Sequence, residues 1–286
     1  MLMLLNRIST VIRLSRSGRG EDLDRVMSAM EEGARFEGAA GVLLQKEPAG
    51  AEVYNDMDSE IVNVFRVLRD PDSAKRLSHA CSYTPYAREE FNLSQVPCDD
   101  PIEQARRTLL RAWASFGSAG ATRGRSGMRT YTRPDGKHSD VAKCWARIPA
   151  VIPQFSERFR NVVIENRPAM DVMAQHDTPE TLHYIDPPYL PETRSSGSTG
   201  YYRHEMTLAD HEALLEFVKT LKGFVLISGY DSTLYNNRLS GWRRVTLPTS
   251  GSSRYGSVPR TECLWLSPCI VEQERQCDMF AAGGAL

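Results

Sequence analysis

Among the 286 residues there is no C-x-x-C pair, no run of about 18 apolar residues and almost no net charge. Each absence excludes something. The six cysteines, Cys81, Cys98, Cys144, Cys263, Cys269 and Cys277, are scattered, and none sits near a histidine at zinc-ligand spacing. A zinc site or other metal centre and a secreted disulfide framework are therefore not expected, and reduced thiols in the cytoplasm are. Without a long apolar run there is no membrane span. The opening Met1-Leu2-Met3-Leu4-Leu5 is apolar for only five residues, short of the roughly 7–15 that a signal peptide needs. Lys and Arg number 35 against 36 Asp and Glu, a formal charge of −1, which at face value argues against a nucleic-acid partner. What is present is ordinary globular composition, 41% apolar and 25% charged, so wholesale disorder is excluded. The length suits one large domain or two smaller ones.

The charge is partitioned rather than absent. Residues 104–147 hold ten basic residues against only Asp135 and Asp140, which leaves the segment at +8 and the rest of the chain at −9. The segment reads as a solvated face or as phosphate-contacting surface. Elsewhere short apolar strands alternate with helices, the pattern of an α/β sheet. Val53-Tyr54 is a strand ending in Asn55-Asp56, and Glu60 to Leu68 has a helical apolar face. Glu103 to Phe116 is a second helix, preceding a Gly/Ser/Arg stretch. Val162 to Ile164, Thr181 to Ile185 and the fully apolar Phe224 to Ile227 are strands. Thr207 caps a helix whose stripe is Leu208, His211, Leu214, Leu215 and Val218. Val245 to Leu247 and Glu262 to Leu266 form a closing pair, joined by a Gly/Ser-rich loop over 248–260. Residues 7–20 read as a basic, flexible lead, and Asp22 to Ala34 as a helix.

The most informative run is His183-Tyr184-Ile185-Asp186-Pro187-Pro188-Tyr189. A strand delivers an acid, two prolines and an aromatic to its carboxyl end, where open α/β sheets bind ligands. The prolines fix φ and remove two backbone donors. Their carbonyls and the Asp186 carboxylate converge as acceptors, and the Tyr189 ring offers a stacking face. This suits the exocyclic amine of a planar base; the bland alternative is a strand-ending turn with a surface tyrosine. A second cluster, Phe36-Glu37-Gly38-Ala39-Ala40-Gly41, lets a backbone turn approach a ligand closely. Asp56, ending the next strand, either binds ribose hydroxyls or caps the helix that follows.

Taken together, these motifs resemble the Dam-type N6-adenine-specific DNA methyltransferases, particularly their phage and prophage members. The resemblance runs through F-E-G-A-A-G-V-L-L (36–44), V-Y-N-D-M-D (53–58), V-N-V-F-R-V-L-R (62–69) and T-P-Y-A-R-E-E-F (84–91). It continues through I-E-N-R (164–167), D-P-P-Y (186–189), S-G-Y-D-S-T-L-Y (228–235) and R-T-E-C-L-W (260–265). It implies an α/β, Rossmann-like S-adenosylmethionine-dependent sheet over 36–84 and 148–270. An inserted, mainly helical target-recognition domain would occupy 85–147, between an atypical segment 1–35 and a tail 271–286. By the family pattern, Phe36, Gly38, Ala40 and Gly41 line the methionine end of S-adenosylmethionine, and Asp56 holds its ribose. Asp186, also beside the cofactor, and the Pro187 carbonyl accept from the adenine amine; Pro188 shapes the turn and Tyr189 stacks on the ring. The adenine must be flipped from the duplex to reach them. Arg123, Arg125, Arg129, Arg133 and Lys137 are the expected DNA contacts. The expected partner is double-stranded DNA, met by a cytoplasmic monomer of bacterial or phage source that has no membrane association and can have a cognate restriction endonuclease.

Two departures from the family pattern stand out. No K-x-G-G-K turn occurs in residues 1–35, and Arg35 stands where a proline usually precedes Phe36. After I-E-N-R, Pro168 replaces an aspartate that would accept from the cofactor's adenine amine. The alternative they raise is a DNA-binding remnant with impaired cofactor capture. Methylation of a protein glutamine shares the acceptor-and-aromatic logic, but that family typically has Asn in place of Asp186.

Overall fold

The computed structural model describes residues 9–13, 43, 46–115, 127–130, 141–194, 202–253 and 256–272. Seven strands form one sheet: β1 (Ser9–Arg13), β2 (Ala51–Asn55), β3 (Val162–Glu165), β4 (Thr181–Ile185), β5 (Phe224–Tyr230), β6 (Arg243–Ser253) and β7 (Gly256–Leu266). Their spatial order is β3-β2-β1-β4-β5-β7-β6. β2 pairs parallel with β3, and β4 parallel with β5, whereas β1 runs antiparallel to both β2 and β4. Part of the segment read as a basic lead is thus a central strand.

Side-chain alternation sorts the strands' residues into two core layers. Tyr54, Leu182, Tyr184, Leu226, Leu264 and Leu266 face one cluster. Val53, Ile185, Val225, Ile227, Cys263 and Trp265 face the other. Both layers are covered by helices, which explains why these strands read as unbroken apolar runs. The first layer is closed by α1 (Ser59–Arg69), α2 (Pro71–Ser82), α3 (Arg88–Leu93), α4 (Pro101–Ala114), α5 (Val141–Trp145) and α6 (Ile148–Phe159). Tyr54 packs at 4.4 Å from Phe65, and Phe65 at 4.5 Å from Phe159 (ring centroids), tying β2 to α1 and α6. The second layer is closed by α7 (Ala169–His176), α8 (Leu208–Val218) and α9 (Thr233–Arg238). On α8 a capping box joins Thr207 and Asp210. His211, Leu214, Leu215 and Val218 are buried, but Leu208, the first residue of the helix, is exposed. Among the described residues no helix is long and apolar enough to cross a membrane.

Two local readings change. The stretch 248–260 is not a loop: β6 and β7 continue as an antiparallel ladder as far as Ser253 and Gly256. Gly/Ser composition disguised a long hairpin. Three of the ten basic residues in 104–147 are internal ion pairs. Asp100 caps α4 by accepting from the backbone N–H groups of Ile102 and Glu103. Glu103 then sits one turn before Arg106 and Arg107, and accepts from both at 2.6–2.7 Å. Arg106 also reaches Glu90 at 2.7 Å, and Arg111 pairs with Glu60. Counting from residue 104 left these three acids out of the balance.

A buried triad anchors the sheet beneath α6. Glu52, only 2% exposed, accepts from Lys46 and from Arg158, with Nη2 at 2.8 Å. Burial raises its pKa, but the hydrogen bonds and charges of Arg158 and Lys46 outweigh burial and hold it below the usual glutamate value. Glu52→Ala strands two cations in the interior. The expected loss is about 3–5 kcal/mol of unfolding free energy, measurable by urea denaturation; a loss under about 1 kcal/mol would show that water already reaches the triad.

Candidate active site

Register builds the site. Ser9 of β1 is opposite both Asn55 and Ile185, Asn55 is level with Glu165, and Ile185 is level with Ile227. The next residue on each exit, Asp56, Asn166, Asp186 and Ser228, therefore lies along one edge of the sheet. Two of the I-E-N-R residues fasten that edge. Asn55 exchanges two hydrogen bonds with the Arg167 backbone at 3.0 and 3.1 Å, and Asn166 donates to the Asp56 carbonyl at 2.6 Å. Pro168 follows as the residue preceding α7. It brings no side-chain acceptor to the cleft it lines.

That cleft encloses about 580 Å³. One wall carries Asp56, Met57 and Asp58, the other Asp186, Pro187 and Pro188, with Pro168 and Met170 between them. Helix α1 is capped by Asp58, whose Oδ1 accepts from the Glu60 N–H at 3.0 Å. Asp56 is thereby released from the capping role that the sequence also allowed. Its Oδ1 accepts from the Asp58 N–H at 2.8 Å, and its buried Oδ2 has no partner among the described residues. Burial pushes the Asp56 pKa well above the usual carboxylate range. The neighbouring Asp58 charge adds to the rise, while backbone N–H groups of Asp58 and Met57 and the Arg203 charge oppose it. A buried carboxylate oxygen without a partner is costly unless a ligand supplies a donor. Cleft size and the orphaned oxygen both fit the ribose of S-adenosylmethionine.

Asp186 is held from the neighbouring strand. Ser228, at the level of Asp186 on β5, donates to Asp186 Oδ1 at 2.9 Å, and the Tyr184 hydroxyl donates to Ser228 at 3.3 Å. This relay fixes the carboxylate's rotamer at the mouth of the Pro187-Pro188 turn. Tyr189 lines a second, much smaller hollow. Its ring lies 4.2 Å from that of Tyr230, tilted by 46°, and its hydroxyl donates to Glu262 Oε1 at 2.7 Å. The hollow between Pro187, Tyr189 and Tyr230 is about 10 Å³, too small for a purine. Tyr189 and Tyr230 must part for a base to stack there.

The structure thus gathers Asp56, Asp186, Pro187 and Pro188 around one cleft and puts Tyr189 in the adjoining small hollow. Phe36, Gly38, Ala40 and Gly41 lie outside the described residues, as do Arg123, Arg125, Arg133 and Lys137. From the glycine-rich motif Leu43 is described; it is fully buried, and its carbonyl accepts from Arg158 at 2.6 Å. Arg129 is described, and it packs on its own chain. Its guanidinium lies 5.4 Å from the Trp113 ring centroid and donates to the Trp113 carbonyl, and burial lowers its pKa. Ser228, Tyr230 and Glu262 belong to motifs noticed in the sequence, but their roles needed the pairing of β4, β5 and β7. No motif marked Arg203.

No curated protein matches the chain. A family model does: D12 class N6 adenine-specific DNA methyltransferase, matched over residues 36–247. The match takes in both walls of the cleft, the D-P-P-Y turn and most of the sheet, and on it the chain belongs to the D12 class of N6 adenine-specific DNA methyltransferases.

Proposed function

We propose that this adenine methyltransferase acts at a specific duplex sequence on a flipped adenine, with Asp186 and the Pro187 carbonyl as acceptors for the N6 amine. The placement of Asp186 carries this reading: it is buried, held by Ser228, and shares a cleft with the partnerless oxygen of Asp56. S-adenosylmethionine, when bound, supplies a methyl group already activated by its sulfonium. The protein's part is then orientation and electrostatics. Asp186 and Pro187 accept from the two amine N–H groups, which aims the nitrogen lone pair along the cleft and stabilises the positive charge that develops on nitrogen. Tyr189 stacks on the base once it parts from Tyr230. Asp56 accepts from the ribose hydroxyls, and Phe36, Gly38, Ala40 and Gly41 flank the methionine end. Pro188 completes the rigid turn that sets these groups against one another.

Target recognition falls to the insertion 85–147, between catalytic segments 36–84 and 148–270. Arg123, Arg125, Arg133 and Lys137 contact DNA there; Arg129 does so if its guanidinium leaves Trp113. The resemblance to phage and prophage members supports a cytoplasmic monomer, with a cognate restriction endonuclease as its counterpart. The intact D-P-P-Y turn weighs against the alternative, raised by Pro168 and the atypical segment 1–35, of a remnant that binds DNA without transferring methyl groups. Transfer of tritiated methyl groups to duplex DNA is the test. Label in N6-methyladenine is expected; no transfer at saturating S-adenosylmethionine would refute the reading, and calorimetric titration of the cofactor then tells a remnant from a misread site.

A further inference from the structure

The segment between the D-P-P-Y turn and α8 is fastened in three places. At one end Arg194 donates through Nε to the Tyr189 carbonyl at 2.7 Å and pairs with Glu205 at 2.7 and 3.0 Å, its guanidinium 4.8 Å from the Tyr202 ring centroid. At the other end the Thr207–Asp210 capping box starts α8. In the middle Arg203 reaches the opposite wall. Its Nη1 lies 3.0 Å from Asp58 Oδ1 and its Nη2 2.8 Å from Glu60 Oε1. Tyr202, Arg203, His204 and Met206 all line the cleft that holds Asp56 and Asp186. One side chain therefore ties the β2–α1 wall to the β4–α8 wall.

We propose that residues 202–206 are a strap across the cofactor cleft, and that Arg203 is the positioning residue that latches it to Asp58 and Glu60. The inference rests on reading the cleft as the cofactor's.

Burial separates this latch from a permanent brace. Arg194 is a brace, with its side chain 6% exposed. The Arg203 side chain is 32% exposed, so its own guanidinium can move into water. Asp58 is 4% exposed and keeps a buried Oδ2 without a partner among the described residues, so the pull toward closure comes from that side. Both acids have partners besides Arg203. Asp58 already caps α1, and Glu60 already pairs with Arg111. What Arg203 adds is closure, which slows exchange of a ligand in the cleft.

Stopped-flow dissociation of S-adenosylhomocysteine from the full chain tests this, with calorimetry giving the affinity. Arg203→Ala should raise the dissociation rate roughly fivefold or more, as expected for loss of a partly exposed charge pair. Arg203→Lys should fall between that variant and the parent. Asp58→Asn, which keeps a good N-cap, should speed release similarly and add little on top of Arg203→Ala. Salt should speed release from the parent by screening the pair, and affect Arg203→Ala much less. Equal rates and equal salt dependence in parent and Arg203→Ala, even with a lowered Tm, would make Arg203 a brace and overturn the proposal. Failure of the parent to bind either S-adenosylhomocysteine or S-adenosylmethionine would instead overturn the cofactor reading, and the strap with it.

Discussion

Asp186→Ala is expected to cut the single-turnover methyl-transfer rate on duplex DNA by about 10²–10³-fold, the usual cost of removing one preorganised group at a developing charge. The amine nitrogen gains positive charge as it attacks, and Asp186 is the anionic acceptor placed to meet that charge. Ser228 holds it from β5 and Tyr184 holds Ser228, so little reorganisation is needed at the moment of reaction. Asp186→Asn keeps shape and volume but removes the charge, and it can turn an amide N–H toward the substrate amine. Its rate should lie nearer the alanine variant than the parent. Since Asp186 also lines the cleft, a modest loss of cofactor affinity is expected, and saturating cofactor removes it from the comparison. A single-turnover rate within threefold of the parent for Asp186→Ala would mean that the carboxylate does not meet the amine. The amine would then rest on the proline carbonyls of the turn.

The parts of the fold that were legible in the sequence are those whose signal is local. Thr207 announced a helix cap, and it caps α8, with Asp210 closing a capping box. Ile185-Asp186-Pro187-Pro188 announced a strand end, because proline cannot continue a ladder. What the sequence concealed depends on partners distant along the chain. Arg106, Arg107 and Arg111 looked like a basic face, since their acids lie at positions 60, 90 and 103, outside the counted window. β1 is five residues set among arginines, and only its two neighbours make it a central strand. The 248–260 hairpin was hidden by small residues, because β-propensity reflects packing context more than composition. Asp56 read equally well as a ribose ligand or a helix cap until the structure gave the cap to Asp58, which accepts from the Glu60 N–H. The site was half legible for the same reason. Its acids and prolines are written in consecutive letters, whereas Ser228, Glu262 and Arg203 become site residues only across strands or across the cleft.

Asp56→Asn should have opposite effects on the free protein and on the complex. In the free protein the carboxyl is buried, one oxygen lacks a partner among the described residues, and its pKa is raised well above 3.8. Folding therefore favours the protonated form. The associated stability is fully present below the unfolded pKa and is lost as pH rises through the folded pKa. Above 3.8 the parent bears the cost of burying a carboxyl that is ionised in the unfolded chain, a cost that Asp56→Asn does not carry. The variant without ligand should thus be the more stable of the two, and its advantage should shrink as pH falls toward 3.8. Cofactor reverses the order. Ribose hydroxyls donate to the carboxylate, so binding favours the ionised form and should tighten as pH rises through the elevated pKa. Hydrogen bonds to a charged group contribute about 1.5–3 kcal/mol, so Asp56→Asn should weaken S-adenosylmethionine binding by roughly 10–100-fold. Thermal unfolding with and without ligand, at several pH values, reads both effects in one series. A variant that is no more stable than the parent at high pH would mean that water solvates the Asp56 oxygen in the free protein. Unchanged ligand affinity would move the ribose to another group in the cleft.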